Sequence, residues 1–203
     1  MRRTSEVGSA LDRAQYGFRS KILEAMAMTE QILKAMQRVR AVLARRPQAG
    51  IHADEPATAR WDGGMRVVTR HAHGTQITTD MPTELGGEAN QVSPGWLLRA
   101  GLASCLATRI AMEAAAAGVL LTRLEVVAES TSDARGLLGM MGDTGEPVTP
   151  APSEVRLEVR IAASNVSRDS IREMIDHSLR CSPVSAAVER AVPVALHVDI
   201  EAN

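Results

Sequence analysis

The sequence predicts an α+β fold, with helices and antiparallel strand pairs in separate stretches of the chain. Three observations carry this. Hydrophobic patterns of helix and strand period follow one another as helix, two strands, helix, two strands, helix, strand. The strands group around short turn signals, without the spacing that parallel crossovers need. One helix, opening at Pro94, is apolar over most of its circumference and reads as the buried centre.

A chain of 203 residues can form one domain with a good-sized core and carry an appended arm. Residues 1–50 are assigned to an N-terminal helical arm and linker, and residues 51–203 to the globular domain. A formal net charge of −1 offers no field to recruit nucleic acid or an anionic membrane, and 2% aromatic residues leave little for base stacking. Neither partner is therefore expected. No run is long and apolar enough to span a bilayer, and Met1-Arg2-Arg3-Thr4-Ser5-Glu6 is no apolar signal segment, so a cytoplasmic location is the default expectation.

Residues 4–46 read as one long helix without proline until Pro47. Ile22, Met26, Thr29, Leu33, Met36, Arg40 and Leu43 recur at three- and four-residue steps, a heptad-like stripe that Thr29 and Arg40 interrupt. Such a stripe docks a helix on its own domain or on a second subunit. A linker follows from Arg45 to Gly50. Residues 57–70 and 75–80 then read as strands around turns at Asp62-Gly63-Gly64 and His73-Gly74. A loop rich in Gly, Glu and Pro, residues 80–95, leads to the central helix. Ser93 can cap that helix and Pro94 fits its first turn.

Past Gly118, residues 120–131 alternate as a half-buried strand, and Glu154–Ala162 is its counterpart after a Gly- and Pro-bearing loop. Ser167 caps a helix that ends near Cys181. Pro183 opens a short helix to Arg190, and Val192–Ile200 alternates as a last strand.

Chemistry in this chain rests on its two cysteines, Cys105 in the apolar helix and Cys181 at the end of the later one. Two cysteines in a cytosolic protein are redox-active, catalytic or buried more often than bridged. The thiolate is the nucleophile, and a thiol in apolar surroundings keeps its proton unless a cation stands near. Arg109 lies one helical turn from Cys105, and Arg180 adjoins Cys181. Among the histidines only His71-Ala72-His73 resembles ligand spacing, and a solvated hairpin accounts for it, so no metal is expected. Gly86-Gly87 lacks the lysine of a phosphate cradle, Ser104 lacks nucleophile-elbow glycines, and Met140-Met141 falls in a loop. No cofactor is expected.

Residues 57–202 resemble the OsmC/Ohr family of osmotically inducible and organic hydroperoxide resistance proteins. The matching features are Leu85-Gly86-Gly87 before a Pro-initiated helix, and Leu97-Leu98-Arg99-Ala100-Gly101-Leu102-Ala103-Ser104-Cys105 within it. Asp133, Arg135 and Gly136 follow the next strand, and Cys181-Ser182-Pro183-Val184 closes the second long helix. Trp61 and Met65 resemble the YhfA-related branch. The arm lies outside the resemblance.

The resemblance implies an intertwined homodimer, with antiparallel sheets wrapped around central helices. It also implies thiol-dependent reduction of alkyl or lipid hydroperoxides in oxidative or osmotic stress defence. Cys105 would be the peroxidatic cysteine and Cys181 the resolving one, an external dithiol the reductant. The family takes its activating arginine from the N-terminal β region, where Arg60, Arg66 and Arg70 occur and Arg66 is the choice. Peroxidases of the family pair that arginine with a Glu ten residues before the reactive cysteine; here the position is Gly95, and Glu84 and Glu88 lie upstream. Two other functions fit the same residues: a non-catalytic protein binding an apolar small molecule, and a redox-sensing interaction protein.

Overall fold

The computed structural model describes residues 4–190 and 192–200, with side chains from residue 23 onward. Helix α1 runs Thr4–Arg45 and ends in a 3₁₀ turn at Pro47–Gly50. Of the predicted stripe, Ile22 lies outside the described side chains, Thr29, Leu33, Met36 and Leu43 are half-buried, and Met26 and Arg40 are exposed. A neighbouring set of apolar residues, Met28, Ile32, Val39 and Val42, is exposed.

The first strand region resolves into three short strands, β1 (Thr58–Trp61), β2 (Val67–Arg70) and β3 (Gln76–Thr79), paired antiparallel in that order. Trp61 is drawn onto the first turn, its indole donating to the Gly64 carbonyl at 2.9 Å. His71–Thr75 forms the second turn, closed by His71 N–H on the Thr75 carbonyl at 2.9 Å.

Helix α2 (Pro94–Ala116) starts as its sequence dictates, with Ser93 Oγ accepting from the Trp96 amide at 3.2 Å and Pro94 in the first turn. Strands β4 (Leu121–Thr131) and β5 (Glu154–Ala163) form a long antiparallel pair with a bulge between Leu121 and Arg123. The short helix α3 (Ala134–Leu137) follows β4, capped by Asp133 Oδ1 on the Arg135 amide at 2.9 Å. A Cβ on Gly136 would stand 2.1 Å from the Thr149 carbonyl oxygen, so only glycine lets the loop between the strands cross here. Helices α4 (Arg168–Arg180) and α5 (Pro183–Glu189) complete the ordered elements.

The core forms where α2 meets β4–β5 on one side and α4 on another. Leu106, Ile110 and Ala114 of α2 and Met174 of α4 are buried together, with Leu124, Val126, Leu157, Val159 and Ile161 packed on them. Each buried Leu or Ile contributes about 1.5–3 kcal/mol. The centrality of the cysteine helix thus follows from its apolar circumference.

One expected element is missing. Val192–Ile200 forms no strand, and among the described residues it pairs with neither sheet. Its apolar alternation is intact, and Val192, Val194, Leu196, Val198 and Ile200 are all exposed.

Candidate active site

Cys105 sits midway along α2, one residue before the buried Leu106, and is half-buried itself. Its neighbour across the helix packing comes from the junction of α4 and α5. Ser182 Oγ donates to Cys105 Sγ at 3.2 Å, and Ser185 Oγ donates to Ser182 Oγ at 3.0 Å. Both serines are buried, at 0% and 4% exposure. Buried hydroxyls need partners, and here they form a short chain ending on sulfur.

Cys181, next in the chain to Ser182, is in a different setting. It caps α4, is exposed, and its Sγ lies 3.8 Å from His177 Nε2. His177 Nε2 in turn lies 3.8 Å from Glu113 Oε2, which Arg109 holds at 3.3 Å. Arg109 is thus engaged further along α2, with the Glu113 carboxylate and the Met112 thioether. The two cysteines are free thiols.

Arg66 lies just past the Gly63-Gly64 turn and pairs with Glu88 Oε2 at 2.5 Å. Its Nε is buried with no hydrogen-bond partner. Glu88 is held in place by its own backbone. Asp80 accepts from the Glu88 amide and from the Met81 amide, each at 2.8 Å. The Glu88 amide foremost, with the Met81 amide and the Arg66 charge, holds the Asp80 carboxyl below its ordinary range, against the opposing effect of burial. A Cβ on Gly87 would meet the Met81 carbonyl oxygen at 1.8 Å, so this tight loop needs glycine there. An arginine–carboxylate pair thus exists in this chain although position 95 is glycine.

An apolar pocket of about 290 Å³ opens beside the hydroxyl chain, lined by Leu102, Val155, Leu157, Leu179, Ser185 and Val188 among others. Leu102 stands one turn before Cys105 on α2.

The histidine pair lies apart from this site. Glu55 reaches His71 Nε2 at 3.2 Å and His73 Nε2 at 3.8 Å, and all three residues are exposed. These three are the metal-capable group among the described residues. His71 Nδ1 accepts from the His73 amide at 3.2 Å, which leaves the ring proton on Nε2, facing the carboxylate. A metal-ligating histidine instead leaves one ring nitrogen bare for the ion and donates from the other, so His71 is arranged as a hydrogen-bond donor to Glu55.

Of the residues expected from the sequence, Cys105 is at the centre of the site, Cys181 adjoins Ser182 in the chain but contacts His177, and Arg66 is beside the N-terminal sheet with Glu88. Ser182 was noted only as part of the Cys181–Val184 motif, and Ser185, His177 and Glu113 were given no role at the site. A serine after a cysteine and before a proline carries no periodic or compositional signal; only the Ser185 repeat three residues on hinted at a shared face.

A half-buried thiol on an apolar helix, capped by hydroxyls from a second helix junction and bordered by an antiparallel sheet, defines a cysteine-centred α+β domain. A profile of the family described as OsmC-like protein matches residues 87–197, and the chain belongs to that family. Solved structures share the fold. An OsmC-like protein from Mycoplasma pneumoniae is 20% identical, with a TM-score of 0.57 over 68% of this chain and 89% of its own. An OsmC-like protein of unknown function from Vibrio cholerae is 15% identical, with a TM-score of 0.56 over 68% and 95%. An organic hydroperoxide resistance protein from Elizabethkingia anophelis is 18% identical, with a TM-score of 0.50 over 68% and 89%. No curated protein matches the sequence.

Proposed function

We propose that this protein reduces organic hydroperoxides, with Cys105 as the attacking thiol. The observation that carries the reading is Cys105 itself: a half-buried sulfur that accepts a hydrogen bond from a buried hydroxyl, in a hydroxyl chain whose far member, Ser185, lines an apolar pocket together with Leu102. A hydrogen bond donated to sulfur favours its charged, nucleophilic form, and an apolar wall favours an alkyl or lipid chain over hydrogen peroxide. The structural relative named as an organic hydroperoxide resistance protein adds support.

Attack on the peroxide leaves an alkoxide, whose developing charge calls for a cation. Arg66, fixed by Glu88 and still carrying an unpartnered Nε, is suited to that role. It would meet Cys105 in a homodimer, the arm and the exposed alternating segment 192–200 packing on a second copy. An external thiol or dithiol would complete the cycle. In the pairing expected from the sequence, Cys181 would first condense with the oxidised Cys105. No helix among the described residues is long and apolar enough to cross a membrane, in keeping with action in the cytoplasm.

The test is steady-state consumption of cumene hydroperoxide with a dithiol, by the wild type and by Cys105→Ser. Turnover lost in the variant supports the reading. A wild type without turnover overturns it in favour of a binding protein, the apolar pocket then being the ligand site.

A further inference from the structure

The hydroxyl chain at Cys105 bears on a step that peroxide reduction leaves open, namely what receives the oxidised sulfur. We infer that Cys105 works without an internal partner thiol: the buried Ser182–Ser185 pair, not Cys181, faces its sulfur and holds its sulfenic acid until an external thiol arrives. The inference rests on the peroxide-reducing reading above.

Ser182 and Cys181 are consecutive, and consecutive side chains at a helix end point in different directions. With Ser182 Oγ 3.2 Å from Cys105 Sγ, the same backbone cannot aim Cys181 there as well. That backbone is held on both sides. The Cys181 amide donates to the His177 carbonyl at 3.1 Å, the Ser182 amide to Leu179 at 3.0 Å, and the Ala186 amide to Ser182 at 2.9 Å. A disulfide requires its two Cβ atoms about 3.5–4.5 Å apart. To reach Cys105, Cys181 would have to leave His177 and turn the last residues of α4, displacing a serine that is fully buried. The position a resolving sulfur would need is occupied by a hydroxyl.

The chemistry balances without Cys181. The Cys105 thiolate attacks the terminal oxygen of ROOH; the S–O bond forms, the O–O bond breaks, and the alkoxide leaves and takes a proton as ROH. Sulfur is oxidised and the peroxide reduced. A small thiol R′SH then attacks the sulfenic sulfur, expelling water and leaving Cys105–S–S–R′. A second R′SH attacks that disulfide, releasing R′SSR′ and restoring the Cys105 thiol. Ser182 acts as a positioning residue, donating to the sulfur before attack, and the Ser185 hydroxyl in turn donates to Ser182.

Intact mass after one equivalent of cumene hydroperoxide, with no added thiol, tests this. The expected result is a gain of one oxygen, about 16 Da, that dimedone captures. A loss of two hydrogens, about 2 Da, would show a Cys105–Cys181 disulfide; it would overturn the inference while upholding peroxide reduction. An unchanged mass would overturn the peroxide reading and the inference with it. The Ser182→Cys variant supplies a second arm. Once circular dichroism shows it folded, the same treatment is expected to give the loss of about 2 Da, abolished by adding Cys105→Ser. Persistence of the added oxygen in folded Ser182→Cys would mean that residue 182 does not face Cys105.

Discussion

Two cysteines of equal composition are treated in opposite ways by this fold. Cys105 lies in the middle of a helix that is apolar almost all round, and its sulfur meets a chain of buried hydroxyls. Cys181 lies at the exposed end of an amphipathic helix, beside a histidine that faces a carboxylate. The difference comes from position alone: a helix interior packed on a sheet excludes water, whereas a helix terminus leaves backbone and side chain at the surface. Reactivity therefore has to be assigned by surroundings, and a single residue step along the chain is enough to exchange a thiol for a hydroxyl at the contact point.

The largest effect expected on this contrast is from the cysteines themselves. Cys105→Ser should abolish hydroperoxide turnover, whereas Cys181→Ser should lower it less than tenfold, both read as kcat/KM with cumene hydroperoxide; equal losses would erase the distinction. Next comes the cation. Arg66→Ala should lower kcat/KM about 100-fold, the size of a lost charge-stabilising donor, and Glu88→Gln should follow in the same direction with a smaller loss. Ser182→Ala should slow sulfenic acid formation about tenfold, as expected for a hydrogen bond to a charged group; rapid-mixing kinetics with trapped dimedone adduct would measure it.

A smaller and purely conformational effect is expected at Asp80. Its carboxyl titrates lower in the folded chain than in the unfolded one, so its contribution is present at neutral pH and lost as pH falls through the folded value. Asp80→Asn should melt below the wild type at pH 7, and the gap should narrow below about pH 4, where the unfolded carboxyl begins to protonate. A constant gap across that range would separate the loop from this charge.

Much of this contrast was legible in the sequence. The apolar circumference of residues 96–117 placed the helix that carries Cys105 against the core, and Ser93-Pro94 fixed where that helix starts. Alternation in Glu154–Ala162 located β5 and its half-buried face, one residue short of the strand's end. Two things were not legible. In α1, Met28, Ile32, Val39 and Val42 are spaced as regularly as the stripe containing Leu33 and Met36, and periodicity cannot say which face docks; the structure half-buries the latter and exposes the former. At the second cysteine, motif reading stops at residue type. Which of Cys181 and Ser182 faces Cys105 depends on how α4 ends and α5 begins, a tertiary matter. Segment 192–200 shows the converse limit, since its alternation is strand-like while it pairs with no strand among the described residues.

The measurement that tests the account most directly is peptide mapping after one equivalent of cumene hydroperoxide in the presence of dimedone. The account predicts the label on the peptide carrying Cys105 and none on that carrying Cys181. Label on Cys181 with Cys105 left reduced would contradict it, and would move the reactive centre to the exposed end of α4.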